Sequence, residues 1–311
     1  MSEFSEVFAA GLGTSLKRGV LLSEHSSFRI GGPADYFFEA RSAEELLTAV
    51  RLARREGQRF FIIGGGTNIL FDDAGYRGLI VKNGARGLAW VESENSLEAL
   101  SGTRLAEVVD LAADRGLTGF EFLAGIPGTV GGAVFGNAGA FGQSIGQRLR
   151  EAVLLDRDDR EVRVGADYFG FSYRRSSLRQ ERVVLVKAWF RLQAGQKEKI
   201  RAEMDCTLEQ RKARQPAWPT ACAGCYFKNP VKPDGSRISA GKLLEEAGAR
   251  EMSRGGASVA ATHCNFIINR GGAKAADVLG LAEELKRKVR GKFGLELEEE
   301  VIRLQATDSM L

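Results

Sequence analysis

Glycine constrains this chain more than any other residue type: 38 of its 311 residues are glycine, and two loops concentrate them. The first is Gly64-Gly65-Gly66-Thr67-Asn68, and the second is Gly125-Ile126-Pro127-Gly128-Thr129-Val130-Gly131-Gly132. Glycine tolerates positive φ and lets backbone N–H groups come close to a phosphate. The apolar run Phe60-Phe61-Ile62-Ile63, expected to be a short buried strand, empties directly into the first loop. A strand feeding such a loop suits a pyrophosphate cradle, although tight turns between strands would look the same for either loop alone. Neither loop is a G-x-G-x-x-G fingerprint, and no Gly-Lys-Ser/Thr occurs, so neither a Rossmann nor a P-loop site is indicated. Two such loops, about 60 residues apart on one unit, suggest a ligand with an extended diphosphate.

Around these loops the pattern is α/β. Ser42 and Glu45 form a capping-box signature, followed by Leu46, Leu47, Val50 and Ala53 at helical spacing up to Gly57. A second helix is expected over 105–113, ending at Gly116, and strands over 153–155 and 183–186. A charged helix over 197–214 leads to Pro216 and Pro219, the main boundary. A smaller α/β region follows, with its last helix over 274–289 and a final strand over 301–304 packing back on the earlier part. The expected division is 1–80 and 81–205 as two subdomains, the second receiving the returning strand within 300–311, and 206–299 as the smaller domain.

Composition narrows the class. Apolar residues make up 44% and charged residues 27%, ordinary for a globular chain. No apolar run approaches the ~18–20 residues of a membrane span, and the N-terminus has no leader pattern, so a cytoplasmic protein is expected. A net charge of +4 without basic clustering gives no support for nucleic-acid binding. Cys222 and Cys225 have C-x-x-C spacing, but no second pair follows and the nearest histidine is His263, so no metal site is expected.

The motifs then become specific in combination. His25-Ser26-Ser27-Phe28-Arg29-Ile30-Gly31-Gly32-Pro33-Ala34, the loop Gly64-Gly65-Gly66-Thr67-Asn68-Ile69-Leu70, and the stretch GFEFLAGIPGTVGGAVFGNAGAFG from Gly119 occur in that order. Tyr173-Arg174-Arg175-Ser176, Gly224-Cys225-Tyr226-Phe227-Lys228-Asn229-Pro230, Ala240-Gly241-Lys242-Leu243-Leu244-Glu245, His263-Cys264-Asn265-Phe266 and Leu297-Glu298-Glu299-Glu300-Val301 follow. This ordered set resembles the UDP-N-acetylenolpyruvoylglucosamine reductases, flavoproteins with a PCMH-type FAD-binding region, and spans roughly residues 20 to 304. The resemblance implies an α+β fold, with two α/β flavin-binding subdomains and a smaller C-terminal α/β substrate-binding domain. It implies noncovalent FAD and NADPH as co-substrate. It also implies the shorter form of the family, since the segment between Val183 and Gln196 has no room for the extra loop that carries a tyrosine over the substrate.

The implied reaction passes hydride from NADPH to FAD, and from the flavin to the enolpyruvyl double bond of a UDP-linked sugar. It needs a cation for the developing enolate and a proton donor for the neighbouring carbon. By motif, Arg174 is the cation and Glu300 an acid or hydrogen-bond partner. Cys225 takes the place where the family usually has a serine proton donor. A thiol, with a reference pKa of about 8.5, is a stronger acid than an alcohol and open to alkylation. For the flavin the resemblance implies Gly64, Gly65, Gly66, Thr67 and Asn68, then Gly128, Thr129, Gly132, Ala133 and Gly139, with Arg29 near the isoalloxazine. Tyr173, Lys228 and Asn229 are implied for the substrate, and Ser236 and Gly255-Gly256 as further lining of its cleft. His263 reads equally well as a structural histidine. A second reading is another PCMH-type flavin oxidoreductase acting on a hydroxy acid, which would share the flavin loops without needing the later motifs.

Overall fold

The computed structural model describes residues 3–92, 96–217 and 219–309; the extreme ends of the 1–80 and 300–311 ranges lie outside them. The first sheet has the order Val20–Leu21, Pro33–Ala40, Tyr76–Asn83, Phe60–Ile63, and its last three strands are mutually parallel. Parallel neighbours need a crossover, which the helix Ala43–Arg55 provides, burying Leu46, Val50 and Ala53. Its start is the expected one with a variation. Ser42 Oγ accepts the Glu45 N–H at 3.1 Å, but the Glu45 carboxylate accepts the Arg41 N–H at 2.7 Å rather than that of Ser42. Gly57, at φ +60, ends the helix.

The second sheet is antiparallel throughout, in the order Glu161–Gly165, Leu149–Leu155, Val184–Arg191, Ser96–Leu100, Leu88–Val91. The helices Leu105–Asp114 and Val130–Phe135 contribute Leu105, Val108, Val130 and Val134 to its core. Lys197–Arg214 is rich in charge and buries Ile200, Met204 and Thr207, a stripe at i, i+4 and i+7. Ile200 and Met204 enter the second core, so a division at 205/206 would cut a helix that packs as one piece. A division at 80/81 would likewise cut the strand Tyr76–Asn83. Leu155, Val184 and Val186 of the second sheet share a core with Phe60, Leu79 and Val81 of the first, so the two subdomains are not separately packed. From Val184–Arg191 the chain passes through Gln193–Ala194 directly into the helix at Lys197, with no inserted loop.

The third unit pairs Ser253–Arg254, Ala257–Ala260 and His263–Asn269 in one antiparallel sheet under the helices Ala240–Glu246 and Ala275–Phe293. Phe28, Ile30 and Leu70 reach into its core from the first unit. The returning strand, Ile302–Leu304, pairs parallel with Ile69–Phe71, just beyond the first glycine loop. It therefore joins the first subdomain rather than the second. Among the described residues no helix is long and apolar enough to cross a membrane. The architecture is α+β.

Candidate active site

The two glycine loops meet. A Cβ on Gly64 would fall 2.4 Å from Thr129 Oγ1, and one on Gly65 3.3 Å from the Gly128 Cα. Gly66, at φ +63, leaves room for the His25 carbonyl, only 1.9 Å from where its Cβ would be. Thr67 Oγ1 donates to the Pro127 carbonyl at 3.3 Å, tying one loop to the other. Together they line a cleft of about 1050 Å³, to which Gly64, Gly65, Gly66, Thr67, Asn68, Gly128, Thr129, Gly132, Ala133 and Gly139 all contribute. Backbone approaches this close leave a surface with little side-chain bulk, which suits a diphosphate-bearing cofactor.

Arg174, Cys225 and Glu300 line the same cleft, brought from three distant parts of the chain. Arg174 sits on a tight turn closed by paired backbone hydrogen bonds between Ser172 and Arg175, both 3.1 Å. Its φ of +56 is uncommon for a residue with a side chain, and marks a turn held by its surroundings. The surroundings are visible. Asn137 Nδ2 donates to the Ser172 carbonyl at 2.8 Å, and Ser176 Oγ donates to the Phe135 carbonyl at 2.8 Å. Arg174 then reaches Glu300 Oε1 with Nε at 2.7 Å and the Gly139 carbonyl with Nη2 at 2.7 Å.

Cys225 and Glu300 are neighbours because the two segments that carry them are laced together. The Glu300 N–H donates to the Tyr226 carbonyl and the Lys228 N–H to the Glu298 carbonyl, each at 2.8 Å. Asn265 clamps the same stretch through both sides of its amide, accepting from the Phe227 N–H at 2.9 Å and donating to the Phe227 carbonyl at 2.8 Å. Asn68 Nδ2 donates to the Glu300 carbonyl at 3.3 Å, joining the first loop to the carboxylate's segment. Burial raises the Glu300 carboxyl above the usual range, and Arg174 opposes that rise. Burial, reinforced by the Glu300 charge, pushes the Cys225 thiol up to about 12.

Other expected residues lie elsewhere. Arg29 is exposed, and its Nη2 donates to the Pro219 carbonyl at 3.5 Å, so it does not line the cleft. Lys228 is buried, its Nζ 2.5 Å from Glu298 Oε1, which spends its charge on an ion pair. The Tyr173 hydroxyl accepts the Asn229 N–H at 3.3 Å, and its ring lies 4.0 Å from the Arg237 guanidinium. The structure brings Tyr173, Lys228 and Asn229 together, but none of them lines the cleft. Ser236 is bound to Asp234, Gly256 donates its N–H to Asp277, and neither Ser236 nor Gly255-Gly256 lines the cleft. His263 is structural here: its Nδ1 accepts the Asn265 N–H at 3.1 Å, and burial lowers its pKa. Among the described residues no group of three or more His, Cys, Asp or Glu side chains converges as a metal site would need.

The sequence reading missed several cleft residues. Arg179, Arg182, Arg211 and Lys212 line it along with Arg174, against Glu300 as the only carboxylate among the lining residues. Such one-sided charge favours anionic ligands. Two glycine loops apposed in an α+β frame, beside a guanidinium, a carboxyl and a thiol, suit an enzyme that holds a diphosphate-bearing cofactor next to acid–base groups. Residues 34–165 match a family model described as an FAD binding domain, and residues 215–304 one described as the C-terminal domain of UDP-N-acetylenolpyruvoylglucosamine reductase. The reductase of that name from Moorella thermoacetica is 40% identical over 298 residues, covering 94% of this chain and 96% of its own. That of Caldanaerobacter subterraneus is 38% identical over 303 residues, covering 96% and 98%. The crystal structure of the Thermus caldophilus reductase superposes with a TM-score of 0.75 at 31% identity, over 93% of this chain and 98% of that one. The chain belongs to the UDP-N-acetylenolpyruvoylglucosamine reductase family, and its cofactor is FAD.

Proposed function

We propose that this protein reduces the enolpyruvyl double bond of UDP-N-acetylglucosamine enolpyruvate with NADPH, giving UDP-N-acetylmuramate for peptidoglycan synthesis in the cytoplasm. The observation that carries the reading is the convergence of Arg174, Glu300 and Cys225 on the cleft where both glycine loops meet. FAD supplies the two-electron relay between NADPH and the double bond. The backbone of Gly64–Thr67 and of Gly128–Thr129 would hold its diphosphate.

The chain's own residues supply the rest. Reduction across the double bond leaves negative charge running from the carbon into the substrate carboxylate. Arg174 meets it with a planar guanidinium already oriented by Glu300 and Gly139. Cys225 donates the proton to the carbon beside the carboxylate. A thiol pushed up to about 12 is fully protonated at neutral pH, and an enolate-like carbon is basic enough to take its proton. Glu300 holds Arg174 in place, and its buried carboxyl can help return a proton to Cys225. Tyr173, Lys228 and Asn229 are held to one another and to the Glu298 segment, with the Asn229 N–H on the Tyr173 hydroxyl and Lys228 paired with Glu298, and are the residues proposed to meet the substrate beyond the cleft.

The flavin is proposed to be noncovalent. Neither glycine loop carries a histidine or cysteine, and the two thiols on the cleft, Cys222 and Cys225, are both raised by burial and so held as unreactive thiols. The purified protein should be yellow, and acid precipitation should leave all the flavin in the supernatant as FAD. A colourless protein able to take up no FAD would contradict the assignment.

A further inference from the structure

Arg179 carries a donor that the fold leaves unpaired. It ends the short 3-10 helix Ser177–Arg179, is half-buried, and lines the cleft with Arg174 and Glu300. Its Nε is buried without a hydrogen-bond partner. Two other cleft arginines have their Nε–H satisfied: Arg174 by Glu300, Arg211 by the Ala124 carbonyl at 2.8 Å. The Arg179 guanidinium lies 5.2 Å from the centre of the Phe135 ring, which supports its flat face but accepts no in-plane N–H. Burial works against its charge, with Glu300 opposing that effect. A buried donor left unpaired is destabilising, and more so when it is charged. An arginine serving only the fold would turn to a carbonyl, as Arg211 and Arg148 do.

We propose that Arg179 is an anion-binding residue of the cleft, whose Nε–H takes an anionic oxygen of a ligand bound there. This rests on the cleft being the site for FAD and the UDP-sugar. Both ligands offer such an oxygen, the cofactor on its diphosphate and the sugar nucleotide on its carboxylate and its own diphosphate.

The test compares wild type, Arg179→Gln and Arg179→Lys. Apoprotein is titrated with FAD by flavin fluorescence, and the FAD-loaded oxidised protein is titrated with UDP-N-acetylmuramate, which cannot be reduced further, by the change in flavin absorbance. Thermal melts of each apoprotein show whether the fold is kept. Arg179→Gln should weaken one ligand about 10- to 100-fold, the fold-change of a lost hydrogen bond to a charged group. Arg179→Lys should fall between it and wild type. Loss confined to FAD assigns the oxygen to the cofactor, and loss confined to UDP-N-acetylmuramate assigns it to the sugar nucleotide. Wild-type affinity for both ligands in either folded variant overturns the proposal. Wild type that takes up neither ligand overturns the reading of the cleft and the proposal with it.

Discussion

Cys225 stands where the family motif has serine, and its surroundings decide what the change does. With the thiol pushed up to about 12, only about one molecule in ten thousand carries a thiolate at pH 8. The proton needed for donation is thus in place, while the nucleophile needed for alkylation is not, so iodoacetamide should inactivate slowly. The free thiol's pKa suggested the opposite. Cys225→Ser should retain substantial turnover. Cys225→Ala should be reduced by NADPH at a near-normal rate, while its reoxidation by the enolpyruvyl substrate slows about 100- to 10,000-fold, the usual share of a general acid; stopped-flow absorbance of the flavin separates the two steps. Normal reoxidation in the alanine variant would make Cys225 a packing residue. For Arg174→Lys, kcat should fall at least about 100-fold with FAD affinity nearly unchanged, because lysine keeps the charge but cannot reach Glu300 and Gly139 together. Equal kcat would reduce Arg174 to a support.

At the scale of elements, the glycine loops and the helices were legible because their signals are local. Glycine at φ +63 in Gly66, the cap at Ser42 and the stripe on Lys197–Arg214 each depend on residues a few positions apart. What was not legible depends on partners far along the chain. Lys228 reads as a phosphate-binding lysine until Glu298, 70 residues later, takes its charge. The helix Ala275–Phe293 donates its first N–H groups, those of Ala275 and Ala276, to the carboxylate of Asp73, which lies 202 residues before Ala275. Arg179 and Arg211 sit in charged stretches that look solvated, and only the fold turns them to the cleft. Gly66→Ala places a Cβ against the His25 carbonyl and forces positive φ, so it should cost about 2–4 kcal/mol of stability and abolish FAD uptake. Gly142→Ala, at φ +78 with open space around it, should cost about 1 kcal/mol and leave FAD binding intact. Urea unfolding and FAD titration of the two variants check this; equal effects would mean that the loop's close approach does not matter.

At the scale of the molecule, the site exists only when all three units are assembled. The loops come from the first and second, Cys225 from the third, and Glu300 from the segment that returns to the first beside Ile69–Phe71. The pairing of Ile302–Leu304 with that strand sets Glu300 opposite Arg174, which links completion of the fold to completion of the site. The motif order announced such a convergence, but the returning strand's partner, the first subdomain rather than the second, had to be seen. This one cleft has to pass reducing equivalents from NADPH to an enolpyruvyl sugar nucleotide. The direct measurement is anaerobic: NADPH bleaches the bound flavin, and the reduced protein is then mixed with UDP-N-acetylglucosamine enolpyruvate while the flavin absorbance is followed. Full return of the oxidised spectrum, with one UDP-N-acetylmuramate formed per flavin, is the predicted result. A flavin that stays bleached until oxygen is admitted would contradict it.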